Sequence, residues 1–489
     1  MTDVTLFAEN LRHVNCTLTV KNDGENMNQR ELAAEFTDAL RRGILERWYP
    51  FVVDKECGGY FTNVTYDWKL PPEQEKMIVT QARHVWTLSK LASFFEGAGA
   101  YEKMALHGYY SMRIHMWDPE YGGFYQIRNR VGGMSDVNGW RDEKRAYGNA
   151  FGIYALAALY RQTGNSEVLE FAQEAFRWVE DHSFDPKGGG YFEFLTREGK
   201  PFDSSSEYKT IASDKNELGF KDQNSSIHLL EAYTELYNVW KSPLLRTQLE
   251  RLLVLIRDTM VSKEGSLRLF FHPDWTPVSF RESPDNVRKE NFGLDHVSFG
   301  HDYETAFLML EASHALGLKN DTKTLSVAKK MLDHALRYGF DESVGGFYDG
   351  GYYFKGESEC TIIKDTKNWW AQAEGLNALL LFSKIYPQEK KYHDYFLKQW
   401  TYVKTYIIDL KNGDWFEGGL DKEPHFATGP KSHIWKCTYH TGRALMNCID
   451  FLSEENPVSQ TKKKEIVELA HAWNAVASAA HIDDPSTPP

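Results

Sequence analysis

The chain is short of positive charge. Its 56 Lys and Arg stand against 69 Asp and Glu, for a formal net charge of −13. A nucleic-acid binder needs a basic face, and an anionic membrane attracts one, so neither is expected as a partner. Cysteines are few and odd in number: Cys16, Cys57, Cys360, Cys437 and Cys448, with no CxxC pair. That argues against a disulfide framework and suits a reducing compartment. No apolar run is long enough to span a bilayer. The opening MTDVTLFAENLRHVN has neither a basic start nor an apolar stretch, so no secretory signal is expected and the expected location is cytoplasmic. Glycine pairs are present, but none has the GxGxxG or GK[ST] spacing that cradles phosphate. HExxH and HxH, which would mark a zinc site, are missing too.

Aromatic residues, by contrast, are plentiful. They make up 14% of the chain, with 14 Trp and 26 Tyr. A large helical core takes a share of these. The rest suit a wide polar cleft, because Trp and Tyr offer a flat apolar face with a polar edge. The length of 489 residues would ordinarily suggest two or more domains. Closed barrels exceed that rule, and a single catalytic domain over 1–489 is expected, with an N-terminal extension at 1–30 and a flexible tail at 483–489.

The organising signal is a weak internal repeat. CGGYF (57–61), YGGFY (121–125), GGGYFE (188–193) and VGGFYDG (344–350) share paired glycines and an aromatic, and NGDWFEGG from Asn412 is a looser copy. An acidic residue precedes four of these turns: Asp54, Asp118, Asp185 and Asp341. The spacing is about 65 residues, with a double gap filled by a degenerate copy, KEGSLRLFF, around Gly265. Six units result. Each has room for two helices and a long connection, with glycine supplying positive φ at the turn.

Apolar residues at helical spacing support this. They run through ELAAEFTDALRRGILERW, QARHVWTLSKLASFF, AYGNAFGIYALAALY with SEVLEFAQEAFRWVE, and SIHLLEAYTELY with PLLRTQLERLLVLI. YETAFLMLEASHAL with LSVAKKMLDHAL, WWAQAEGLNALLLF with YHDYFLKQWTYV, and CTYHTGRALMNCIDFL with KKKEIVELAHAWNAVASAA complete the set. Six hairpins in one direction make an open solenoid or a closed toroid, and the Ala-rich segments and Trp supply favour closure. Two polar stretches, 197–223 and 271–300, read as long loops at one end of the hairpins, where binding and gating residues commonly sit.

Four histidines stand at helix starts in polar, aromatic surroundings: His228, His301, His433 and His440. Asn224 and His228 share a helix face, Glu231 lies near it, and His301 and Glu304 are three apart. A carboxylate beside an imidazole fixes its tautomer and raises its basicity, as a histidine acid/base at neutral pH requires. A zinc site assembled from distant histidines is a rival reading. So is glycoside hydrolysis, with Glu304 and Glu374 as acid and base.

Several ordered segments together resemble the N-acylglucosamine 2-epimerase superfamily, and within it the cellobiose 2-epimerase branch. They are QARHVWTLS, YGNAFGIYAL, NSSIHLLEAYTELY, SFGHDYETAFLMLEA, NWWAQAEGLNALL and WKCTYHTGRA, and the resemblance runs from about residue 33 to 455. It implies an all-α (α/α)6 barrel, a six-hairpin toroid with short β-hairpin turns and long loops at one end. It implies reversible C2 epimerisation of a reducing-end aldose, with no metal, nucleotide or oxidised cofactor.

Carried over, Arg83 would hold the developing oxyanion, and Tyr147 and Asn224 would line the site. His228 would aid ring opening, His301 and His440 would be the acid/base pair at C2, and Glu304 would support them. Trp370 and Trp435 would stack on sugar faces, and Glu374 would join the substrate-binding set. Two segments depart from the family pattern, with Thr438 where proline is usual and Tyr303 in HDYE. The insertion near 200–210 leaves substrate size open between a β-1,4-linked disaccharide and free glucose or mannose. An aldose–ketose isomerase and a non-catalytic carbohydrate-binding protein are the alternative functions, and a monomer or homodimer is expected.

Overall fold

The computed structural model describes residues 29–95, 99–203, 205–206, 212–453 and 471. Among these, twelve long helices form two concentric rings. The inner ring is α2 (Ile78–Phe94), α4 (Ala146–Thr163), α6 (Gln223–Val239), α8 (Phe299–Ala315), α10 (Trp369–Ile385) and α12 (Tyr439–Leu452). Each inner helix packs on the next, and α12 returns to α2, so the ring is closed. The outer ring is α1 (29–48), α3 (99–116), α5 (Ser166–His182), α7 (243–260), α9 (Thr322–Gly339) and α11 (391–407). The toroid expected from the repeat is therefore the fold.

The two rings differ in composition for a plain reason. An inner helix is covered on every side, so nearly all of α4 and α10 is buried and rich in Ala, Gly and Leu. An outer helix buries one stripe. In α5 that stripe is Val168, Phe171, Ala172, Ala175, Phe176, Trp178 and Val179. Side-chain caps mark several starts, with Asn165, Ser242 and Asp321 accepting from backbone N–H groups of the first turn.

Two pairings differ from the sequence reading. Helix α3 is the outer partner of α2, although GAYEKMALHGYYS carries glycines and little apolar periodicity. Gly108 is there for close approach, since a Cβ would meet the ring and hydroxyl of Tyr60. The partner of α12 is α1, at the other end of the chain. The stretch KKKEIVELAHAWNAVASAA expected in that place lies, apart from His471, outside the described residues, as do 1–28 and the tail 483–489.

Every outer helix ends in the same local device. A residue just past the helix bridges to the aromatic after the turn, or to a leucine in the fourth unit: Val53 to Tyr60, Trp117 to Phe124, Phe184 to Tyr191, Val261 to Leu267, Phe340 to Phe347 and Ile408 to Trp415. The copy around Gly265 is thus a true fourth unit. The paired glycines hold positive φ, as at Gly122 and Gly123 (66° and 75°), and in the sixth unit Asp414 takes that conformation at 61°.

A buried lysine pins five of these turns, standing two residues before the next inner helix in four of them and eight before it in the last. The pairs are Lys76–Asp54 (3.0 Å), Lys144–Asp118 (3.0 Å), Lys221–Asp185 (2.6 Å) and Lys367–Asp341 (2.9 Å), with Lys431–Asp409 (2.6 Å) as a variant. In the fourth unit both charges are gone together, replaced by Ser262 and Val297. Removing one partner of a buried pair strands the other charge. Lys221→Val is therefore expected to cost about 3–5 kcal/mol in urea unfolding. Adding Asp185→Ser, which copies the fourth unit, should recover most of that loss.

This arrangement sets the polarity of the barrel. Inner-to-outer connections are short, while every outer-to-inner connection is long and lies at the end where the inner helices begin. Short antiparallel strands rim that end, as in Lys144–Arg145 with Phe194–Leu195 and Val297–Ser298 with Gly350–Tyr352. The stretch 197–223 holds a short helix, Ala212–Glu217, and 271–298 holds two, Asp285–Glu290 and Phe292–Asp295. No helix among the described residues is long and apolar enough to cross a membrane.

Candidate active site

Because the inner helices share one polarity, equivalent positions on each meet at one end of the barrel. The sixth residues of five inner helices are Arg83, Phe151, His228, Glu304 and Glu374, and Arg443 is the fifth of the remaining one. One turn nearer the mouth stand Tyr147, Asn224, Trp370 and His440, each the second residue of its helix, with His301 the third of α8. The ring thus gathers Arg83, Tyr147, Asn224, His228, His301, Glu304, Trp370, Glu374 and His440, while His433 and Trp435 lie in the loop before α12.

His440 hydrogen-bonds through Nδ1 to Glu374 Oε1 at 2.8 Å, and Glu304 Oε1 lies 4.0 Å from the same nitrogen. His228 Nδ1 is bound to Glu231 Oε2 at 2.9 Å, the i,i+3 pairing expected on one helix. His301 differs. Its Nδ1 partner is Ser298 Oγ at 2.7 Å rather than Glu304, which is drawn instead to Arg443. Trp370 contacts both outermost histidines, with ring centroids 4.8 Å from His301 and 5.7 Å from His440.

Arg443 is the residue that sequence reasoning missed. Its Nη1 donates to Glu231 and Tyr439, and its Nη2 reaches Glu304 at 2.5 Å and Glu374 at 2.7 Å. One guanidinium therefore serves all three carboxylates behind the histidines. It stood inside the quoted segment WKCTYHTGRA, but nothing local distinguishes it from a surface arginine. Glu304, Glu374 and His440 offer donor atoms within 4.8 Å of one another, close enough to share a cation, and Arg443 supplies the positive charge there. The two glutamates share one nitrogen of Arg443 and so face each other. Glycosidase carboxylates stand about 5–9.5 Å apart with the sugar between them. The hydrolase pairing of Glu304 with Glu374 has no such gap.

Arg83 donates from Nη2 to Tyr147 Oη at 2.9 Å and from Nη1 to the carbonyl of Trp435 at 3.1 Å. Its guanidinium lies 4.3 Å from the Phe151 ring centroid, and its Nε is buried with no protein partner. Tyr147 is set by Glu193, whose Oε2 accepts its backbone N–H at 2.9 Å. Trp435, 36% exposed, sits at the rim between Tyr147 and Trp140, with centroids at 6.3 and 6.2 Å. Trp140 comes from a loop with no sequence signal. Asn224 lines the same face one turn above His228 and takes no part in these hydrogen bonds. A separate cleft of about 730 Å³ on the outer wall, lined by Trp275, Gly190 and Arg251 among others, contains none of these groups.

Burial disfavours the charged form of both His301 and His440. Burial pushes the His301 imidazole down to about 3, with His228 and His296 adding to it. Burial also pushes His440 well below its ordinary range, with Arg83 and Arg443 behind it. Burial pushes Glu231 upward, but Arg443, His228 and Tyr439 outweigh it and hold the carboxyl at about 2. Burial raises Glu304 and Glu374 despite Arg443.

The neutral histidines carry a consequence for acid stability. The unfolded chain binds a proton at His301 near the ordinary value of 6.5, and the folded chain does not until about 3. Its share of stability is complete above 6.5 and is lost as the pH falls through that window. At pH 5 the loss is roughly 2 kcal/mol. In His301→Asn, the difference in unfolding free energy between pH 7.5 and pH 5 should shrink by that amount. An unchanged difference would show His301 to be charged in the fold.

A closed ring of paired helices with tryptophans and buried acid/base groups at one mouth is the architecture of a carbohydrate epimerase of the (α/α)6-barrel class. The chain belongs to the N-acylglucosamine 2-epimerase (GlcNAc 2-epimerase) family, whose model matches residues 59–444. It is 31% identical to a cellobiose 2-epimerase of Bacteroides fragilis over 430 residues, 86% of this chain and 99% of that protein. A solved cellobiose 2-epimerase of Bacillus thermoamylovorans B4167 superposes with a TM-score of 0.73 at 26% identity, covering 86% of this chain and 99% of that one. A D-mannose isomerase of Pseudomonas cannabina pv. alisalensis is 24% identical over 325 residues, 63% of this chain and 68% of that protein. The family and branch read from the ordered segments are those of these relatives.

Proposed function

We propose that the protein reversibly epimerises C2 of the reducing-end sugar of a β-1,4-linked disaccharide such as cellobiose, through a ring-opened cis-enediol(ate). The observation that carries this is that His301, partly buried, and His440, buried, both lie within ring contact of Trp370, and burial disfavours the charged form of each. A neutral imidazole accepts a proton, and a flat indole beside two of them suits a sugar presented to both.

The sequence of events follows from the chemistry. Only the free aldehyde acidifies the C2 proton, so the hemiacetal must open first. His228, with Nδ1 engaged by Glu231, has Nε2 to exchange a proton with the ring oxygen. One of His301 and His440 then removes the C2 proton. Negative charge develops on O1, and Arg83, held by Tyr147 and the Trp435 carbonyl, is the cation suited to take it. The other histidine, having taken a proton from water on its free ring nitrogen, delivers it to the opposite face, and the first then gives the C2 proton back to water, so both imidazoles end neutral. Glu374 keeps the proton of His440 on Nδ1, so Nε2 does this work.

The half-exposed Trp435 at the rim and the cellobiose 2-epimerase relatives favour a disaccharide over free glucose or mannose. An aldose–ketose isomerase uses the same enediol but returns the proton to C1, and the D-mannose isomerase relative keeps that reading alive. Proton NMR in heavy water with cellobiose, β-1,4-mannobiose, glucose and mannose decides among them. A new epimer carrying deuterium at C2 is expected, strongest for the disaccharides. A ketose as main product would make the enzyme an isomerase, and no change with any sugar would sink both readings.

A further inference from the structure

His433 stands out in the sequence with the other three histidines, yet has no part in the reaction above. Its place in the fold gives it another. Its Nδ1 accepts a hydrogen bond from the backbone N–H of Trp435 at 3.2 Å. An accepting Nδ1 carries no proton, so the proton is on Nε2. That nitrogen lies 3.2 Å from Glu417 Oε1, an electrostatic contact whose angle falls short of a hydrogen bond.

Each end of this contact reaches a tryptophan of the site. On one side, the carbonyl of Trp435 is the acceptor for Arg83 Nη1. On the other, the carbonyl of Glu417 accepts the N–H of Trp369, the residue that starts α10 and precedes Trp370. The base of the Trp435 loop is fixed elsewhere, by Ser432 Oγ on the Lys436 carbonyl and by Lys436 Nζ on Asp414. At the tip, backbone hydrogen bonds close the turn between His433 and Lys436, Arg83 holds the Trp435 carbonyl, and the imidazole takes the Trp435 N–H.

We propose that His433 is a positioning residue that clamps the rim of the site, fixing Trp435 and, through its peptide, Arg83 against the segment that opens α10. The clamp works with one tautomer only, because a second proton at Nδ1 would set N–H against N–H. The charged groups facing it are Glu417 from the strand segment beside α10, and Lys436 from its own loop, whose ammonium is taken by Asp414. Behind Glu417 stand His425 and Glu423, at the 3-10 turn Pro424–Thr428. The kinetic consequence of the clamp rests on the epimerase reading, whereas the anchoring of Trp435 does not.

Three variants of the full chain separate the two arms. His433→Asn puts an acceptor oxygen where Nδ1 stands. His433→Gln reaches toward Glu417 without that acceptor, and His433→Ala keeps neither. Acrylamide quenching of the emission that disappears with Trp435→Phe, measured in each background, reads the anchor directly. Kinetics on cellobiose read its effect. The Asn variant, which keeps the acceptor but loses the Glu417 arm, should fall between the parent and the Ala variant. The Gln and Ala variants should show a more quenchable Trp435 and a KM raised about three- to tenfold, the range for one lost hydrogen bond, with a smaller fall in kcat. Equal quenching in all four proteins, or an Asn variant as impaired as Ala, would overturn the proposal. If the parent itself epimerises nothing, the epimerase reading fails while the quenching still decides the anchor.

Discussion

Replacing either His301 or His440 with asparagine is expected to lower cellobiose epimerisation by about a hundred- to ten-thousand-fold, with an unchanged circular dichroism spectrum. Asparagine keeps a polar group of similar length at the first ring position, so Ser298 and Glu374 retain a partner and the loss is one of proton transfer. Deuterium exchange at C2 tells more than the rate. If each histidine serves one face, each variant still exchanges the C2 proton of one epimer without inverting it. If one histidine serves both faces and the enediol rotates, its loss stops exchange from both epimers and loss of the other spares both. Epimerisation at the parental rate in both variants would remove these residues from the chemistry.

Arg443→Met is expected to be the most destabilising single change in the barrel. The side chain is 3% exposed and bound to Glu231, Glu304 and Glu374, themselves buried. Methionine fills the volume but leaves three carboxylates without their cation, where stranding even one buried charge costs about 3–5 kcal/mol. The chain can relieve this by protonating Glu304 or Glu374, which burial already favours. The loss should therefore be smaller at pH 5 than at pH 8, and adding Glu304→Gln should recover part of it. Urea unfolding at the two pH values measures both effects. A loss under about 1 kcal/mol, the scale of an exposed ion pair, would show that the cluster is open to water.

The fold was legible because its signals are local. A glycine pair with an aromatic specifies its turn within six residues, and recurring at about 65-residue intervals it announces six units. The two errors of pairing have different causes. Helix α3 buries a stripe of Ala105, Tyr109, Met112 and Met116, but Tyr110 and Ile114 are apolar on its exposed face, so the two faces show little contrast in the sequence. The union of α1 with α12 joins the two ends of the sequence, which local spacing does not encode.

At the site, position on the helix was readable and partnership was not. The sequence by itself determined which residues stand in the first two turns of the inner helices, because a 3.6-residue period and a common helix start fix their faces. It also determined the pairing of His228 with Glu231, which are three apart on one helix. Only the closed ring decided that His440 takes Glu374, 66 positions away, that Arg443 reaches Glu231 across 212 positions, and that Glu304 is drawn to Arg443 and not to His301. Hydrogen bonds are satisfied by whatever lies within about 3 Å, and in a toroid the nearest group belongs to another helix, whose place is set by the packing of the whole barrel.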